Sequence, residues 1–255
     1  MSAADAVATA RLALACLDLT SLGDDEREGG DPAAFARLCE RAQGPHGEVA
    51  AVCVWPRWAG WVRARLPRAI RVAAVANFPA GGTVVADAVR ETGIAVDAGA
   101  DEIDLVLPYR DLQAAPALLA AVRRAAGDRL LKVIVETGAL AGAGAIAPAC
   151  RVALAGGADF LKTSTGKVAV NATPAATEAL FEAIAADPGA RGRVGVKAAG
   201  GIRSVADAGV YLALAARHLG AVTPRRFRIG ASSLLDDIER VLGGTAGGGA
   251  SGAAY

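Results

Sequence analysis

Lysine is scarce in this sequence. Only four of its 255 residues are lysine, so 23 of the 27 Lys+Arg residues are arginine. Arginine keeps its proton at physiological pH, whereas a buried lysine can lose it, so only lysine can supply a nucleophilic amine. The four lysines fall in one stretch of the second half of the chain: Lys132, Lys162, Lys167 and Lys197. We therefore treat these positions as candidates for amine chemistry.

Other absences narrow the class of protein. The two histidines lie away from any carboxylate cluster, which argues against a histidine-ligated metal site. The four cysteines form no C-x-x-C pair and are expected to be reduced thiols of a cytoplasmic protein. A net charge of +1 provides no basic surface for nucleic acid or an anionic membrane. Neither a signal peptide nor an uncharged run of the roughly 18–20 residues that cross a bilayer is found before residue 240.

Aromatic residues make up only 4% of the chain against 53% hydrophobic residues, so the core must be built from Ala, Val, Leu and Ile. Eight short apolar runs alternate with Ala-rich segments of helical spacing, which predicts parallel strands joined by helical crossovers. Eight such units in one chain predict a single (β/α)8 TIM barrel with a short N-terminal helix, and a doubly wound open sheet is the alternative. The predicted strands are Leu12–Thr20, Val49–Pro56, Ile70–Pro79, Glu102–Tyr109, Leu130–Thr137, Asp159–Thr165, Val194–Gly200 and Arg226–Ser232.

Helices are expected between these strands, among them Pro32–Gln43, Val84–Ala98, Ala114–Ala126, Pro174–Ala186 and Val205–His218. The predicted barrel domain covers residues 1–242. A Gly/Ala/Ser-rich segment over 243–255, which ends in Tyr255, is expected to be a flexible tail.

Charged residues occupy strands that should be apolar inside a barrel. They are Asp18, Asp104, Lys132, Glu136, Lys162 and Lys197. If their side chains point inward, each must be paired or must shift its pKa. A structural ion-pair network is one interpretation. Their position near the carboxyl ends of several strands favours a catalytic one.

The lysines suggest a specific chemistry. A desolvated amine beside a second ammonium has a lowered pKa, so part of it is neutral and can attack a carbonyl to form an imine. Lys162 and Lys197, on adjacent predicted strands, are the natural nucleophile and neighbour. Asp104 could accept or relay a proton. Lys132 and Glu136, on the fifth predicted strand, are expected to pair with each other or to support Lys162.

Small residues after the last two strands predict a phosphate site. Gly200 and Gly201 follow the seventh strand and precede a helix expected from Ser204, whereas Gly230, Ser232 and Ser233 follow the eighth. Exposed backbone N–H groups and helix N-termini favour anions, and these loops often bind phosphate in such barrels. Ordinary turn glycines and cap serines are the alternative. The run G-A-G-A-I-A at Gly142–Ala147 only superficially matches a dinucleotide fingerprint.

Several sequence blocks resemble the deoxyribose-phosphate aldolase family. They are spread over almost the whole chain: L-D-L-T at Leu17–Thr20, N-F-P at Asn77–Pro79, Ala100–Tyr109, Leu130–Gly138, A-D-F-L-K-T-S-T-G-K-V-A-V-N-A-T at Ala158–Thr173, and Gly230–Leu235. The resemblance implies a (β/α)8 barrel that performs class I aldol chemistry with neither metal nor organic cofactor. Ala198 and Leu107 depart from the commoner proline and phenylalanine of the family, without removing a reacting group.

By this resemblance Lys162 is the Schiff-base lysine, and Asp104 and Lys197 are the proton-relay pair. Tyr255 matches the family's C-terminal tyrosine, a mobile proton-transfer group. The remaining candidates are expected to bind the substrate or its phosphate: Asp18, Thr20, Lys167, Gly200, Gly201, Gly230, Ser232 and Ser233.

The sequence thus predicts reversible cleavage of 2-deoxy-D-ribose 5-phosphate to D-glyceraldehyde 3-phosphate and acetaldehyde, in deoxyribose catabolism. Another lysine-dependent phosphosugar aldolase, such as a transaldolase-like enzyme, and a catalytically silent phosphosugar-binding protein are the alternatives. The expected partners are small phosphosugars and aldehydes, and a homodimer is the candidate assembly.

Overall fold

A computed structural model describes residues 2–140 and 142–244 of the chain. Eight parallel strands close into a barrel in the order of the sequence, from β1 to β8, and β8 pairs with β1. The strands are β1 Leu17–Thr20, β2 Ala51–Val54, β3 Arg71–Ala76, β4 Glu102–Val106, β5 Leu130–Ile134, β6 Phe160–Lys162, β7 Gly195–Ala199 and β8 Phe227–Ala231. The predicted (β/α)8 barrel is confirmed.

Helices surround the barrel and connect its strands. Over the described residues they are α1 Ala3–Ala15, α2 Pro32–Ala42, α3 Pro56–Arg63, α4 Val85–Asp97, α5 Ala115–Ala126, α6 Ala143–Ala155, α7 Pro174–Ala186, α8 Val205–Leu219 and α9 Leu234–Gly243. Within the described ranges, no helix is long and apolar enough to cross a membrane.

Local sequence explains where several helices begin. The Asp31 carboxylate caps α2 ahead of Pro32, and the Thr173 hydroxyl caps α7 in the same way. Ser204, from which the sequence predicted a helix, caps α8 in a reciprocal capping box with Asp207. Proline in the first turn costs no hydrogen bond, because the N–H groups there have no partner within the helix.

The hydrophobic core lies mainly between the sheet and the helices. It consists of buried Ala, Val, Leu and Ile side chains, for example Val52 and Ile103, with few aromatic rings. Branched and small side chains pack closely between parallel strands and covering helices, which explains how the chain folds with so few aromatics. The barrel interior is different, since it holds charged side chains.

All eight predicted strands are longer than the observed ones, and the first and the sixth show why. The first strand was predicted over Leu12–Thr20, but residues 12–15 belong to α1, because an Ala-rich helix capped by Ser2 runs into the strand with no change of polarity. The sixth strand was predicted over Asp159–Thr165 but ends at Lys162. Thr163 still bonds to the backbones of Thr137 and Lys197, whereas the Thr165 N–H donates to the Glu136 carboxylate. Except for two residues, the predicted tail at 243–255 lies outside the described residues.

Candidate active site

A pocket of 480 Å³ opens at the carboxyl ends of the strands, where barrels of this kind have their active sites. Its walls come from the loops after β1, β6, β7 and β8 and from the end of β6. Eight predicted site residues line it: Thr20, Lys162, Lys167, Gly200, Gly201, Gly230, Ser232 and Ser233. The sequence therefore located the mouth of the barrel, because these residues lie near the carboxyl ends of the predicted strands.

Lys162 places its amine at the floor of this pocket. It is the last residue of β6, and only 3% of its side chain is exposed. Its Nζ donates to Asp104 Oδ2 across 2.8 Å. Lys162 is therefore the one strand lysine that both lines the pocket and contacts the buried acid.

Lys197 lies beneath, on the adjacent strand. It pairs in register with Lys162, so both side chains point inward, and it is fully buried. Lys197 Nζ lies 2.7 Å from Asp104 Oδ2, the oxygen that also accepts from Lys162. A Cβ on Gly230 would lie 2.8 Å from Lys197 Cε, so the missing side chain at Gly230 makes room for this lysine.

Burial and neighbouring charge move the two lysine pKa values in opposite directions. Burial, helped by the Lys197 ammonium, lowers the pKa of Lys162 in spite of the Asp104 carboxylate. Burial also acts to lower the pKa of Lys197, but Asp104 and Asp18 outweigh it and raise that pKa. The pKa of Asp104 is held well below its usual range: burial opposes this, and Lys132, Lys162 and Lys197 overcome it. Because Asp104 serves three amines, Lys162 receives only a share of its charge.

A second layer of charge lies further down the barrel. Lys132 Nζ lies 2.9 Å from Asp18, 2.5 Å from Glu102 and 3.0 Å from Asp104. Arg228 bridges two of these acids, at 2.6 Å from Asp18 and 2.8 Å from Glu102. This layer is fully sealed from solvent except for a small part of Arg228.

This layer revises two expectations. Asp18 was expected to contact substrate, but its carboxylate is fully buried, where it also accepts from Lys197 at 2.7 Å. We therefore place Asp18 in the ion network and not among the substrate contacts. Lys132 was expected to pair with Glu136 or to support Lys162. Instead it pairs with the three acids named above, and Glu136 accepts from the Thr165 N–H.

The buried cluster holds unequal numbers of charges. Its four basic groups are Lys132, Lys162, Lys197 and Arg228, and its three acids are Asp18, Glu102 and Asp104. A buried charge without a counterion is costly, and the usual response is the loss of the proton. Arg228 cannot lose its proton, and Lys132 and Lys197 each contact at least two carboxylates, whereas Lys162 contacts one. Lys162 is therefore the basic group of the cluster that loses its proton most readily.

The other end of the pocket suits an anion. Gly200 and Gly201 both have left-handed φ values, 86° and 81°, and the Gly200 N–H donates to the Gly230 carbonyl at 3.3 Å. A Cβ on Gly200 would lie 2.7 Å from Asn171, so a side chain fits there neither by conformation nor by space. Ser232 and Ser233 precede α9 directly, at its positive dipole end.

Two cations border this end of the pocket. Lys167 lies on the loop after β6, and its Nζ is 2.7 Å from the carboxylate of Asp24, a side chain that is 89% exposed. Arg203 also lines the pocket, although sequence reasoning missed it. With 23 arginines in the chain, no composition signal singled out Arg203.

The sequence also missed Glu102, Arg228 and Asn171. Glu102 precedes Asp104 by two positions, so the alternation of strand side chains could have placed both inside the barrel. On β8, Arg228 likewise precedes Gly230 by two positions, so both face the barrel interior. Asn171 Oδ1 is buried without a hydrogen-bond partner among the described residues, a fact that only the three-dimensional structure reveals.

A buried thiol also lies near one acid of the cluster. Cys53 lies on β2 with its Sγ 3.9 Å from Asp104 Oδ2, and burial raises the pKa of its thiol. Tyr255 lies outside the described residues. Within the described ranges, no three His, Cys, Asp or Glu residues are arranged as ligands of a metal ion.

Comparison with known proteins gives a consistent result. A family model described as DeoC/LacD family aldolase matches residues 14–240. The deoxyribose-phosphate aldolase of Agrobacterium fabrum (strain C58) is 47% identical over 245 residues, which cover 92% of each chain. The crystal structure of a Toxoplasma gondii ME49 protein, provisionally assigned as a deoxyribose-phosphate aldolase, matches with a TM-score of 0.83 and 25% identity over 95% of this chain and 97% of that one.

A more distant structure shares the same fold. The deoxyribose phosphate aldolase of Aeropyrum pernix, described as a unique tetramer, matches with a TM-score of 0.71 over 94% of this chain and 97% of that one. At 22% identity, this likeness shows the fold alone.

Proposed function

The chain belongs to the DeoC/LacD family of aldolases and is therefore a lyase, and from that premise we propose that it cleaves 2-deoxy-D-ribose 5-phosphate reversibly to D-glyceraldehyde 3-phosphate and acetaldehyde. The relative from Agrobacterium fabrum, which bears the name of this activity, supports the substrate. The observation that carries the chemistry is the Lys162 amine, which lies at the pocket floor with a lowered pKa.

Lys162 is the nucleophile in this proposal. Its neutral amine attacks the aldehyde carbon of the open-chain sugar, and loss of water leaves an imine that becomes protonated on nitrogen. The protonated imine is the electron sink for the next step. Lys167 also lines the pocket, but it is partly exposed and paired with Asp24, so it is less suited to be a neutral nucleophile.

Asp104 and Lys197 serve the bond cleavage. A water molecule hydrogen-bonded to these two side chains takes the proton from the hydroxyl on carbon three. The bond between carbons two and three then breaks, and its electron pair moves into the imine to give an enamine. Carbon three becomes the aldehyde of glyceraldehyde phosphate. The position of Asp104, within 2.8 Å of both amines, supports this relay.

Release of acetaldehyde completes the cycle. The enamine is protonated on carbon two, which restores the imine, and water hydrolyses that imine to acetaldehyde and free Lys162. Tyr255 is our proposed proton donor for this step. Its role rests on the resemblance of the sequence to the family and stays a prediction.

The phosphate group is proposed to bind at the opposite end of the pocket. The Gly201 backbone, the N-terminus of α9 at Ser232 and Ser233, and Lys167 all line the pocket there, which supports this position for the phosphate. Binding energy from this remote group positions the aldehyde against Lys162, which lowers the entropic part of the barrier.

We also propose a cellular location and an assembly for the protein. Cys16, Cys39, Cys53 and Cys150 are all free and buried, which supports a reducing compartment such as the cytoplasm. A role in the catabolism of deoxyribose phosphates follows from the proposed substrate. The homodimer stays a prediction, which sedimentation equilibrium would check.

Product analysis tests the proposal. The purified chain is incubated with 2-deoxy-D-ribose 5-phosphate, and in the reverse direction with acetaldehyde and glyceraldehyde 3-phosphate. We expect equimolar glyceraldehyde phosphate and acetaldehyde in the first case and the deoxysugar phosphate in the second. Turnover only with a ketose donor would favour a transaldolase-like enzyme, and binding with no turnover would favour a phosphosugar-binding protein.

A further inference from the structure

Arg228 and Glu102 form a pair at the bottom of the barrel that the proposed reaction does not use. Neither side chain lines the pocket, and both are almost fully buried. Arg228 Nη2 donates to Glu102 Oε1 at 2.8 Å, and Glu102 Oε2 lies 2.5 Å from Lys132. Branched apolar side chains normally fill the interior of such a barrel, so a buried arginine at this position is unusual.

A continuous chain of ion pairs links Arg228 to the amine at the pocket floor. Arg228 contacts Asp18, Asp18 contacts Lys197, and Lys197 shares Asp104 Oδ2 with Lys162. None of these residues is more than 4% exposed, so their charges act on one another with little screening by bulk solvent.

The numbers of basic and acidic groups in the buried cluster suggest a function for the Arg228–Glu102 pair. The cluster contains one more basic group than acidic groups, and Arg228 is the one base that cannot release its proton. The permanently charged Arg228 forms ion pairs with Asp18 and Glu102. These two carboxylates are therefore less able to stabilise the protonated lysines. Without Arg228, three acids would face three lysines, and Lys162 could stay protonated.

We propose that Arg228 and Glu102 are positioning residues that set the charge of Lys162. Loss of Arg228 alone would remove the excess positive charge of the buried cluster, and loss of Glu102 alone would double it. This inference rests on the proposed function, since the neutral amine it explains is the nucleophile of that reaction. It extends the account to two residues that contact neither substrate nor Lys162.

Other titratable groups around Lys162 do not substitute for this pair. Asp104 and Lys197 contact or neighbour the amine directly, and Cys53 faces it from β2 with a thiol whose pKa is raised. Glu136 is buried at the end of β5, where its carboxylate is engaged by the Thr165 N–H. Lys167, on the following loop, is paired with Asp24 at the pocket rim.

Charge-changing variants separate this role from a structural one. Arg228→Met removes a positive charge and should raise the pKa of Lys162, whereas Glu102→Gln removes a negative charge and should lower it further. Arg228→Lys keeps the charge, and the double variant Glu102→Gln/Arg228→Met preserves the excess. A unit charge roughly 10 Å away at an effective dielectric constant of about 20 shifts a pKa by about one unit.

Competitive acetylation of the intact protein measures the effect. A trace of acetic anhydride reacts with neutral amines from pH 6 to 11, and tandem mass spectrometry of Arg-specific peptides reads Lys162 separately from Lys167. We expect the Lys162 midpoint to rise by about one pH unit in Arg228→Met, to fall in Glu102→Gln, and to stay near the wild-type value in Arg228→Lys and the double variant. Arg217→Met, which removes an exposed arginine paired with Glu178, is the matched control and should move nothing.

The outcomes distinguish two failures. If wild-type Lys162 titrates no lower than Lys167, the neutral nucleophile itself is absent and the proposed function falls. If Lys162 titrates low but Arg228→Met and Arg228→Lys give the same midpoint, only the present inference is overturned. Should Arg228→Met not fold, Glu102→Gln carries the test, and an unchanged Lys162 midpoint in that variant overturns the inference.

Discussion

Lys162 and Lys197 are neighbouring residues of the same type, yet their surroundings give them different pKa values. Lys197 contacts two carboxylates, Asp18 and Asp104, whereas Lys162 contacts Asp104 alone. Burial acts to lower the pKa of both lysines, but the neighbouring carboxylates outweigh this effect only at Lys197. The number of acidic contacts, more than burial, distinguishes the two amines.

The sequence predicted these residues because lysine is rare in the chain. Three of the four lysines lie inside the barrel, and the acid Asp104 was identified with them. The partners of Lys132 could not be predicted, because Asp18 reaches it from β1 and Glu102 from β4. Pairings across a closed barrel depend on register and side-chain reach, which the pattern of one strand does not contain.

Replacement of Lys197 tests the relation between the two amines. In Lys197→Met the loss of the neighbouring ammonium, together with the fuller share of Asp104 left to Lys162, raises the pKa of Lys162. The acid limb of the kcat/KM profile should move to higher pH, and kcat should fall by about 10²–10⁴-fold as the relay is lost. Steady-state kinetics from pH 5 to 10 measures both effects.

Lys197→Arg is the control for that variant, because it keeps the charge without the geometry of the amine. We expect slow turnover with an acid limb close to that of the wild type. An unshifted limb in Lys197→Met would contradict the assigned electrostatic role.

At the scale of elements, helices were easier to predict than strands. Each end of the five helices named in the sequence analysis lies within one residue of its predicted position, since caps and prolines mark the starts. The strands were predicted too long, as at Asp159–Thr165, because apolar and β-branched residues continue into the loops that build the pocket. The phosphate-binding candidates lie in these loops.

The left-handed glycine pair after β7 offers a test of the proposed phosphate site. Gly200→Ala forces a strained φ and a contact of 2.7 Å with Asn171, so it should disturb the loop. We expect KM for the phosphorylated substrate to rise about tenfold or more, equivalent to about 1.4 kcal/mol of binding. Affinity for inorganic phosphate, measured by calorimetry, should fall in parallel.

Gly201→Ala is a matched comparison for this prediction. Its φ is similarly positive, but nothing lies within 4 Å of the added Cβ. The loss of phosphate affinity should therefore be smaller than for Gly200→Ala. Equal losses would show that the contact with Asn171 does not matter, and no loss in either variant would remove the glycine pair from the phosphate site.

The whole molecule keeps its charged cluster inside a closed barrel, and this arrangement links stability to pH. Burial opposes ionisation of Asp18 and Asp104, but the cations around them overcome it and depress both pKa values. Unfolded carboxyl groups titrate near pH 4, so below about pH 5 the unfolded chain binds more protons than the folded one. This contribution to stability is complete above that range and is lost as the pH falls through the folded pKa values.

Acid unfolding measures this linkage. The urea midpoint should be highest at neutral pH and should decline from about pH 5 to pH 3. The decline should persist in 0.5 M NaCl, since salt screens exposed ion pairs far more than buried ones. A midpoint that stays constant from pH 7 to pH 3 would contradict a sealed, ionised cluster.

Borohydride trapping tests the central claim, which is that the Lys162 amine forms an imine with the substrate. The protein is mixed with 2-deoxy-D-ribose 5-phosphate and sodium borohydride, digested, and mapped by mass spectrometry, with Lys162→Ala as the control. We predict a stable secondary amine on Lys162 alone, complete loss of turnover as it forms, and no adduct or turnover in a folded Lys162→Ala protein. An adduct only on Lys167, or wild-type turnover by Lys162→Ala, would contradict the account.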